Sequence, residues 1–72
     1  MIINKVEETL KERHLTADWL TNELLKIGFA LTYEQMKKIR YNRREIRVRE
    51  LIAIAKVLNI QNPITLIEHG TK

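Results

Sequence analysis

Cysteine and serine are absent from this 72-residue chain, and glycine and proline are scarce. Without cysteine there is no disulfide framework and no thiolate metal site, so a small fold must be stabilised by packed helices. The two histidines, His14 and His69, have no recognisable metal-ligand spacing, so we expect neither a metal nor a cofactor. No serine or cysteine nucleophile, glycine-rich phosphate loop or histidine with an acid–base partner is found, which predicts that the protein is not an enzyme.

Long apolar runs are also missing. No stretch approaches the roughly 18 apolar residues of a membrane span, and the N-terminus lacks the basic and then apolar order of a signal peptide. We therefore expect a soluble, cytoplasmic protein. Its length predicts one domain, residues 1–72, near the size at which a single core only just offsets the entropy of the chain.

The positive charge of the chain is concentrated in one segment. The whole sequence has a net charge of +4. The segment from Lys26 to Arg49 contains eight Lys or Arg residues and two Glu, a net charge of +6, whereas the remainder has a net charge of −2. Such clustering is the footprint of a surface that meets a phosphate backbone.

Apolar residues at helical spacing predict an all-α fold, a compact bundle of about five helices. The helices are expected over residues 2–13, from Thr16 to near Gly28, over 32–41, over 47–58, and from Asn62 to near Gly70. Thr16, Thr32 and Asn62 are the expected N-caps, and Thr32 has Gln35 at the capping-box position. No alternation typical of a strand is found. The predicted inward residues are Ile3, Val6, Leu10, Leu20, Leu24, Ile27, Met36, Ile39, Val48, Leu51, Ile52, Ala55 and Leu58.

The segment "IRYNRREIRVRELIAIAKVLNI", Ile39 to Ile60, resembles the lambda-repressor and Cro-like helix-turn-helix family, also called the xenobiotic-response-element type. Ala55, Lys56 and Leu58 occupy the positions expected for that family, and Asn42 replaces its usual glycine. That exchange is mild because asparagine tolerates the left-handed conformation. Upstream, "LKERHLTADWLTNEL" is similar to the end of the family's first helix and to its second. The resemblance implies that helices two and three form a helix-turn-helix.

The resemblance also implies that helix three lies in the major groove of double-stranded DNA. The expected base contacts point away from its core stripe and are Tyr33, Glu34, Lys37 and Lys38. A solvated helix face is the alternative. Guanidinium forks and helix N-termini suit phosphate, so the expected phosphate contacts are Thr16, Thr32, Arg40, Arg43, Arg44 and Arg47. Pairing of some of these arginines with Glu34, Glu45 or Glu50 is the alternative for them.

These features predict a sequence-specific DNA-binding protein, a small repressor-like transcriptional regulator. One small domain reads few base pairs, so a homodimer is expected, joined through the last helix by Ile60, Ile64 and Ile67. The alternative for this surface is that Ile64 and Ile67 cover the core of their own chain.

A second function remains open from the sequence. About six residues, 25–30, are inserted where the family has a tight turn, and Ala17 and Thr21 replace its usual glutamine and alanine. These departures favour a protein-interaction module of helix-turn-helix ancestry, such as an antitoxin, an antirepressor or a phage accessory protein.

Overall fold

The computed structural model describes residues 2–68 and is mostly helical. It contains α1 (Val6–Glu12), α2 (Ala17–Lys26), α3 (Tyr33–Arg40) and α4 (Val48–Val57), followed by a 3₁₀ helix (Pro63–Leu66). Two short strands, β1 (Ile3–Asn4) and β2 (Ile67–Glu68), form an antiparallel sheet. None of the helices within residues 2–68 combines the length and the apolar character needed to cross a membrane. The helical prediction is therefore confirmed in outline, with four α-helices within residues 2–68 where about five helices were predicted.

The N-terminal strand corrects two predictions, a first helix that starts at residue 2 and the absence of strands. Ile3 pairs with Glu68 and Asn4 pairs with Ile67. The Lys5 amide continues the contact by donating to the Leu66 carbonyl at 2.7 Å. Two-residue strands are too short to show alternation, and their pairing joins distant parts of the chain, so local periodicity could not reveal them.

The predicted N-caps are confirmed. Thr32 and Gln35 form the reciprocal capping box, with the Gln35 amide donating to Thr32 Oγ1 at 3.1 Å and the Thr32 amide donating to Gln35 Oε1 at 2.9 Å. Thr16 accepts from the Trp19 amide. Asn62 accepts from the Ile64 amide, although the segment that follows forms a 3₁₀ turn and no α-helix. The predicted end of the last helix at Gly70 lies outside the described residues.

All four α-helices of residues 2–68 end in the same way. In each, the residue after the C-cap has a positive φ, and its backbone amide and that of the next residue both donate to carbonyls of the last turn, which completes a Schellman motif. In α2, the Gly28 amide donates to Leu25 and the Phe29 amide to Leu24, both at 2.9 Å. The predicted end of α2 near Gly28 is confirmed. The four left-handed residues are His14 (φ 59°), Gly28 (82°), Asn42 (55°) and Asn59 (60°).

The core is formed by apolar side chains from every helix. Its buried members are Val6, Leu10, Leu20, Leu24, Met36, Ile39, Ile46, Leu51, Ala53, Ile54, Ala55, Leu58 and Leu66. The predicted inward positions of Ile3, Ile27, Val48 and Ile52 are wrong, because these side chains are exposed. Helix α4 contacts α2 and also the 3₁₀ helix, so its buried surface is wide and includes Ala53 and Ile54.

Candidate nucleic-acid interface

Helix α3 is held by two buried side chains, Met36 and Ile39, and presents a polar face. The four residues predicted to contact bases share that outward face. Three are exposed and Lys37 is half-buried. The geometry leaves the first two turns of α3 accessible to a macromolecule. The four residues are Tyr33, Glu34, Lys37 and Lys38.

The connector from α3 to α4, residues 41–47, carries two exposed arginines, Arg43 and Arg47. The Arg43 amide donates to the Lys38 carbonyl at 2.8 Å, which keeps the start of the connector beside the last turn of α3. Arg47 is the N-cap residue of α4. Neither side chain forms an ion pair with a carboxylate of residues 2–68, so both guanidinium groups are available to an anion.

Arg44 adopts the alternative that the sequence leaves open for it, an ion pair with a glutamate. Its guanidinium donates to both carboxylate oxygens of Glu50, from Nη1 to Oε1 at 3.0 Å and from Nη2 to Oε2 at 2.6 Å. The Glu50 residue is only 4% exposed, and its Oε1 also accepts from the Arg47 amide at 2.9 Å. The hydrogen bond to Glu50 raises the pKa of Arg44. Burial opposes the charged carboxylate, but the bonds from Arg44 and Arg47 outweigh it and lower the pKa of Glu50.

Arg40 departs from its predicted phosphate role. Its side chain is 12% exposed and its Nη1 donates to Glu7 Oε1 at 3.0 Å, so it ties α3 to α1. The guanidinium also lies 4.8 Å from the centre of the Tyr41 ring. Burial opposes its charge, yet the bonds to Glu7 and to the Tyr41 hydroxyl raise its pKa. Arg40 and Arg44, the two arginines that pair with carboxylates, therefore stabilise contacts within the fold.

A cleft of about 180 Å³ brings the start of α3 and the start of α4 together. Arg47 and Arg49 line one side, and Gln35 from the first turn of α3 lines another. Two of the predicted phosphate contacts, Thr16 and Thr32, are exposed N-caps, of α2 and α3 respectively, and neither lines the cleft. Thr32 directly follows the lining residue Leu31 in the chain. The remaining lining residues are Phe29, Ala30, Leu31 and Glu50.

Sequence reasoning missed the capping role of Glu50 and the contribution of Arg49, and it offered the pairing of Glu50 with an arginine only as an alternative. Glu50 stands three residues after the N-cap Arg47, which is the capping-box spacing. Arginine has no side-chain acceptor, so only the glutamate half of the box forms, and the usual Ser/Thr signal is missing. Arg49 was counted in the charge of the segment, but only the phase of α4 shows that it lines the cleft.

The structure divides the positive segment into paired and unpaired charges. Carboxylates neutralise Lys26, Arg40 and Arg44. In the described part of the chain the other five form no ion pair, and they lie on α3, on the connector and in the first turn of α4. These five are Lys37, Lys38, Arg43, Arg47 and Arg49.

Comparisons of the chain with family models, with curated proteins and with solved structures found no match. The functional assignment therefore depends on the residues and geometry described above.

Proposed function

We propose that the protein binds double-stranded DNA in a sequence-specific manner, as a small repressor-like transcriptional regulator. One observation carries the proposal. The five unpaired cations of residues 26–49 lie on α3, on the connector and at the start of α4, beside the outward polar face of α3. Unpaired cations gathered beside a polar helix face are what a phosphate backbone and the base edges of a groove require.

In this proposal α2 and α3 form a helix-turn-helix and α3 enters the major groove. The two helices contact each other and are joined by residues 27–32. Eight residues give α3 a length of about 12 Å, and the major groove, about 12 Å wide, admits an α-helix. The inserted segment divides between the last turn of α2, which contains Leu25 and Lys26, and the connector that follows.

The exposed residues then have two roles. Tyr33, Glu34 and Lys38 are the base-reading candidates because they project from the first turns of α3, and Lys37 lies at the margin of that face. Phosphate contacts come from the unpaired arginines, Arg43, Arg47 and Arg49, because a guanidinium without a carboxylate partner loses no ion pair when it binds phosphate. Arg40 and Arg44 position the surface without contacting the DNA.

We propose a homodimer as the DNA-bound form, with a narrower interface than the sequence predicts. Ile60 and Ile67 pack against the core of their own chain, which leaves Ile64 as the exposed member of the predicted set, at 52% exposure. Ile2 and Ile3, at the strand end of the molecule, are also exposed. A twofold pair would present two copies of α3 to a palindromic site.

Selection from a random duplex library tests the proposal. We expect enrichment of a site with two symmetric halves whose centres lie about 34–36 Å apart, one helical turn. Binding that depends on salt but enriches no sequence would contradict the proposal and favour the protein-interaction module.

Repeating that selection with Lys38→Ala tests the reading role of α3. We expect one position of each half-site to lose its base preference, at a cost of about 1–3 kcal/mol for a good bidentate contact. Lys11→Ala, on α1, is the matched control and should return the parent motif. An unchanged motif for both variants would remove Lys38 from the reading set.

A further inference from the structure

An apolar groove lies between the end of α2 and the outer side of α4, next to the cleft described above. Its floor and walls enclose about 350 Å³. Two isoleucines stand at its surface, Ile27 at 45% exposure and Ile52 at 53%. The α2–α4 groove is lined by Ile27, Gly28, Phe29, Arg49, Ile52, Ala53 and Lys56.

The groove differs from the rest of the surface because two exposed apolar side chains, Ile27 and Ile52, line the same concavity. Isolated exposed apolar residues are normal on protein surfaces, whereas contiguous ones mark contacts with other molecules. Phe29 and Ala53 form apolar walls that are partly or fully buried against the core. A ligand that covers Ile27 and Ile52 would therefore meet preformed apolar walls.

The rim of the groove is positively charged. Arg49 and Lys56 are exposed, and neither forms an ion pair with a carboxylate of residues 2–68. They stand seven residues apart on α4, about 10 Å along the helix, with Ile52 between them on the same face. The groove thus offers two turns of apolar surface bounded by two cations.

This charge pattern argues against a second copy of the chain as the occupant. If two copies paired α4 with α4 in antiparallel orientation, Arg49 of each copy would face Lys56 of the other. A parallel pair would place each cation against its own counterpart. Like charges at a contact are unfavourable, so the rim favours an acidic partner.

We propose that the α2–α4 groove binds an amphipathic helix of a partner protein. The helix would place aliphatic side chains, spaced over two turns, against Ile27, Phe29 and Ile52. Carboxylates about seven residues apart would pair with Arg49 and Lys56. This is the helix-in-groove mode of recognition, in which an apolar stripe gives affinity and flanking charges give orientation. The groove shares Arg49 with the proposed phosphate contacts but none of its lining with the base-reading residues of α3. Because the peptide test below contains no DNA, its failure can be distinguished from a failure of DNA binding.

Binding of designed peptides to the full chain tests the proposal. The probe is a fluorescent helical peptide with leucine at positions i, i+3, i+4 and i+7 and glutamate on its flanks. One control peptide replaces the glutamates by lysine, and a second has the same composition in scrambled order. By fluorescence anisotropy we expect the acidic peptide to bind the parent at least about tenfold more tightly than either control, a difference of about 1.4 kcal/mol.

Matched variants locate the site. Ile52→Glu should abolish this preference, whereas Ile64→Glu, at an isoleucine of nearly equal exposure outside the groove, should retain it. Double charge reversal, Arg49→Glu with Lys56→Glu, should make the lysine peptide the tighter ligand. Circular dichroism checks that each variant is folded, and Ile52→Ser repeats the test with a milder change. Equal binding of acidic and basic peptides by the parent, or equal losses in the Ile52 and Ile64 variants, would overturn the proposal.

Discussion

Two asparagines, Asn4 and Asn42, join the N-terminal strand to the end of α3. Asn4 is buried, and its Nδ2 donates to the Ile39 carbonyl at 2.8 Å while its Oδ1 accepts from the Val6 amide at 3.0 Å. The backbone amide of Asn4 donates to Asn42 Oδ1 at 2.8 Å, and Asn42 Nδ2 donates to the backbone carbonyl of Asn4. Asn42 thus supplies a left-handed turn and a side-chain bridge at the same position.

Two substitutions separate these roles of Asn42. Asn42→Gly keeps the left-handed turn but removes the bridge, and leaving the part-buried Asn4 amide unpaired should cost about 1–3 kcal/mol of unfolding free energy. Asn42→Ala also removes the bridge, and it keeps a Cβ in the left-handed region without the side-chain amide that lets asparagine adopt that conformation, so we expect it to be about 1 kcal/mol less stable than the glycine variant. Urea denaturation measures both. Because glycine also relieves the backbone strain at this position, a glycine variant more stable than the parent would show that the bridge contributes nothing.

The Glu50 carboxylate predicts a stability change with a defined pH dependence. Its pKa is lower in the folded protein than in the unfolded chain, so its charged form stabilises the fold above the ordinary glutamate pKa of about 4.3. That contribution is lost as the pH falls through the lower, folded value. Glu50→Gln should therefore destabilise the protein at pH 7, by about 1–3 kcal/mol for its bonds to Arg44 and the Arg47 amide.

Urea denaturation of parent and Glu50→Gln at several pH values checks the sign of this effect. We expect the two proteins to approach each other in stability as the pH falls below about 4, because protonated Glu50 resembles glutamine. A difference that stays constant from neutral to acid pH would mean that the charge of Glu50 does not contribute.

Residue-level predictions succeeded where the signal is local. Thr16, Thr32 and Asn62 were identified as caps because a cap and its acceptor or donor lie within three residues. The partner of Arg40, Glu7, lies 33 residues away, and no local pattern indicates it. For Arg44 the sequence left several glutamates open, and only the turn of the connector selects Glu50.

At the scale of elements, each of the four α-helices within residues 2–68 is followed by one residue in the left-handed conformation, which ends it. That residue is a glycine in α2 but histidine or asparagine in α1, α3 and α4. A left-handed residue with a Cβ costs about 1–2 kcal/mol, less for asparagine, whose side chain can bond locally. The scarcity of glycine therefore leaves strain at helix ends, most clearly at His14.

Replacing His14 by glycine should relieve that strain. Its side chain is exposed, so few contacts are lost, and we expect a gain of about 0.5–1 kcal/mol in unfolding free energy. Gly28→Ala is the converse control. A Cβ at residue 28 would meet no atom within 4 Å, so its cost, of similar size, comes from the backbone alone. Thermal denaturation measures both variants, and a destabilised His14→Gly protein would refute the assignment of strain.

The existence and ends of α2 and α3 were predictable because their Ser/Thr-type caps and the residues that end them are local sequence patterns. Helix α4 has no such cap and was predicted from the spacing of its apolar residues. The inward face of α4 was not predictable. Apolar residues surround most of α4, so the periodicity of the sequence could not decide whether Ile52 or Ile54 faces the core. The contacts with α2 and the 3₁₀ helix settle the phase, and they leave Val48 and Ile52 exposed.

At the scale of the whole molecule, the fold sorts the charges of the chain. Acidic side chains of α1 and α4 hold two of the arginines that the sequence places in the positive segment, Arg40 and Arg44. The remaining cations gather around α3 and the start of α4. Charge clustering was visible in the sequence, but which charges remain available depends on tertiary pairing. The proposed DNA surface is therefore smaller and more sharply defined than the sequence predicts.

The most direct test of the account is the salt dependence of duplex binding by an Arg43→Ala, Arg47→Ala double variant. The slope of log K against log salt should fall in magnitude by about 1.8, roughly 0.9 for each lost phosphate contact. It should do so on the selected duplex and on a random duplex alike, because phosphates carry no sequence. Lys11→Ala, which removes an exposed cation of α1, should leave the slope unchanged. An unchanged slope in the double variant, or an equal change in the Lys11 control, would contradict the assignment of this surface to DNA.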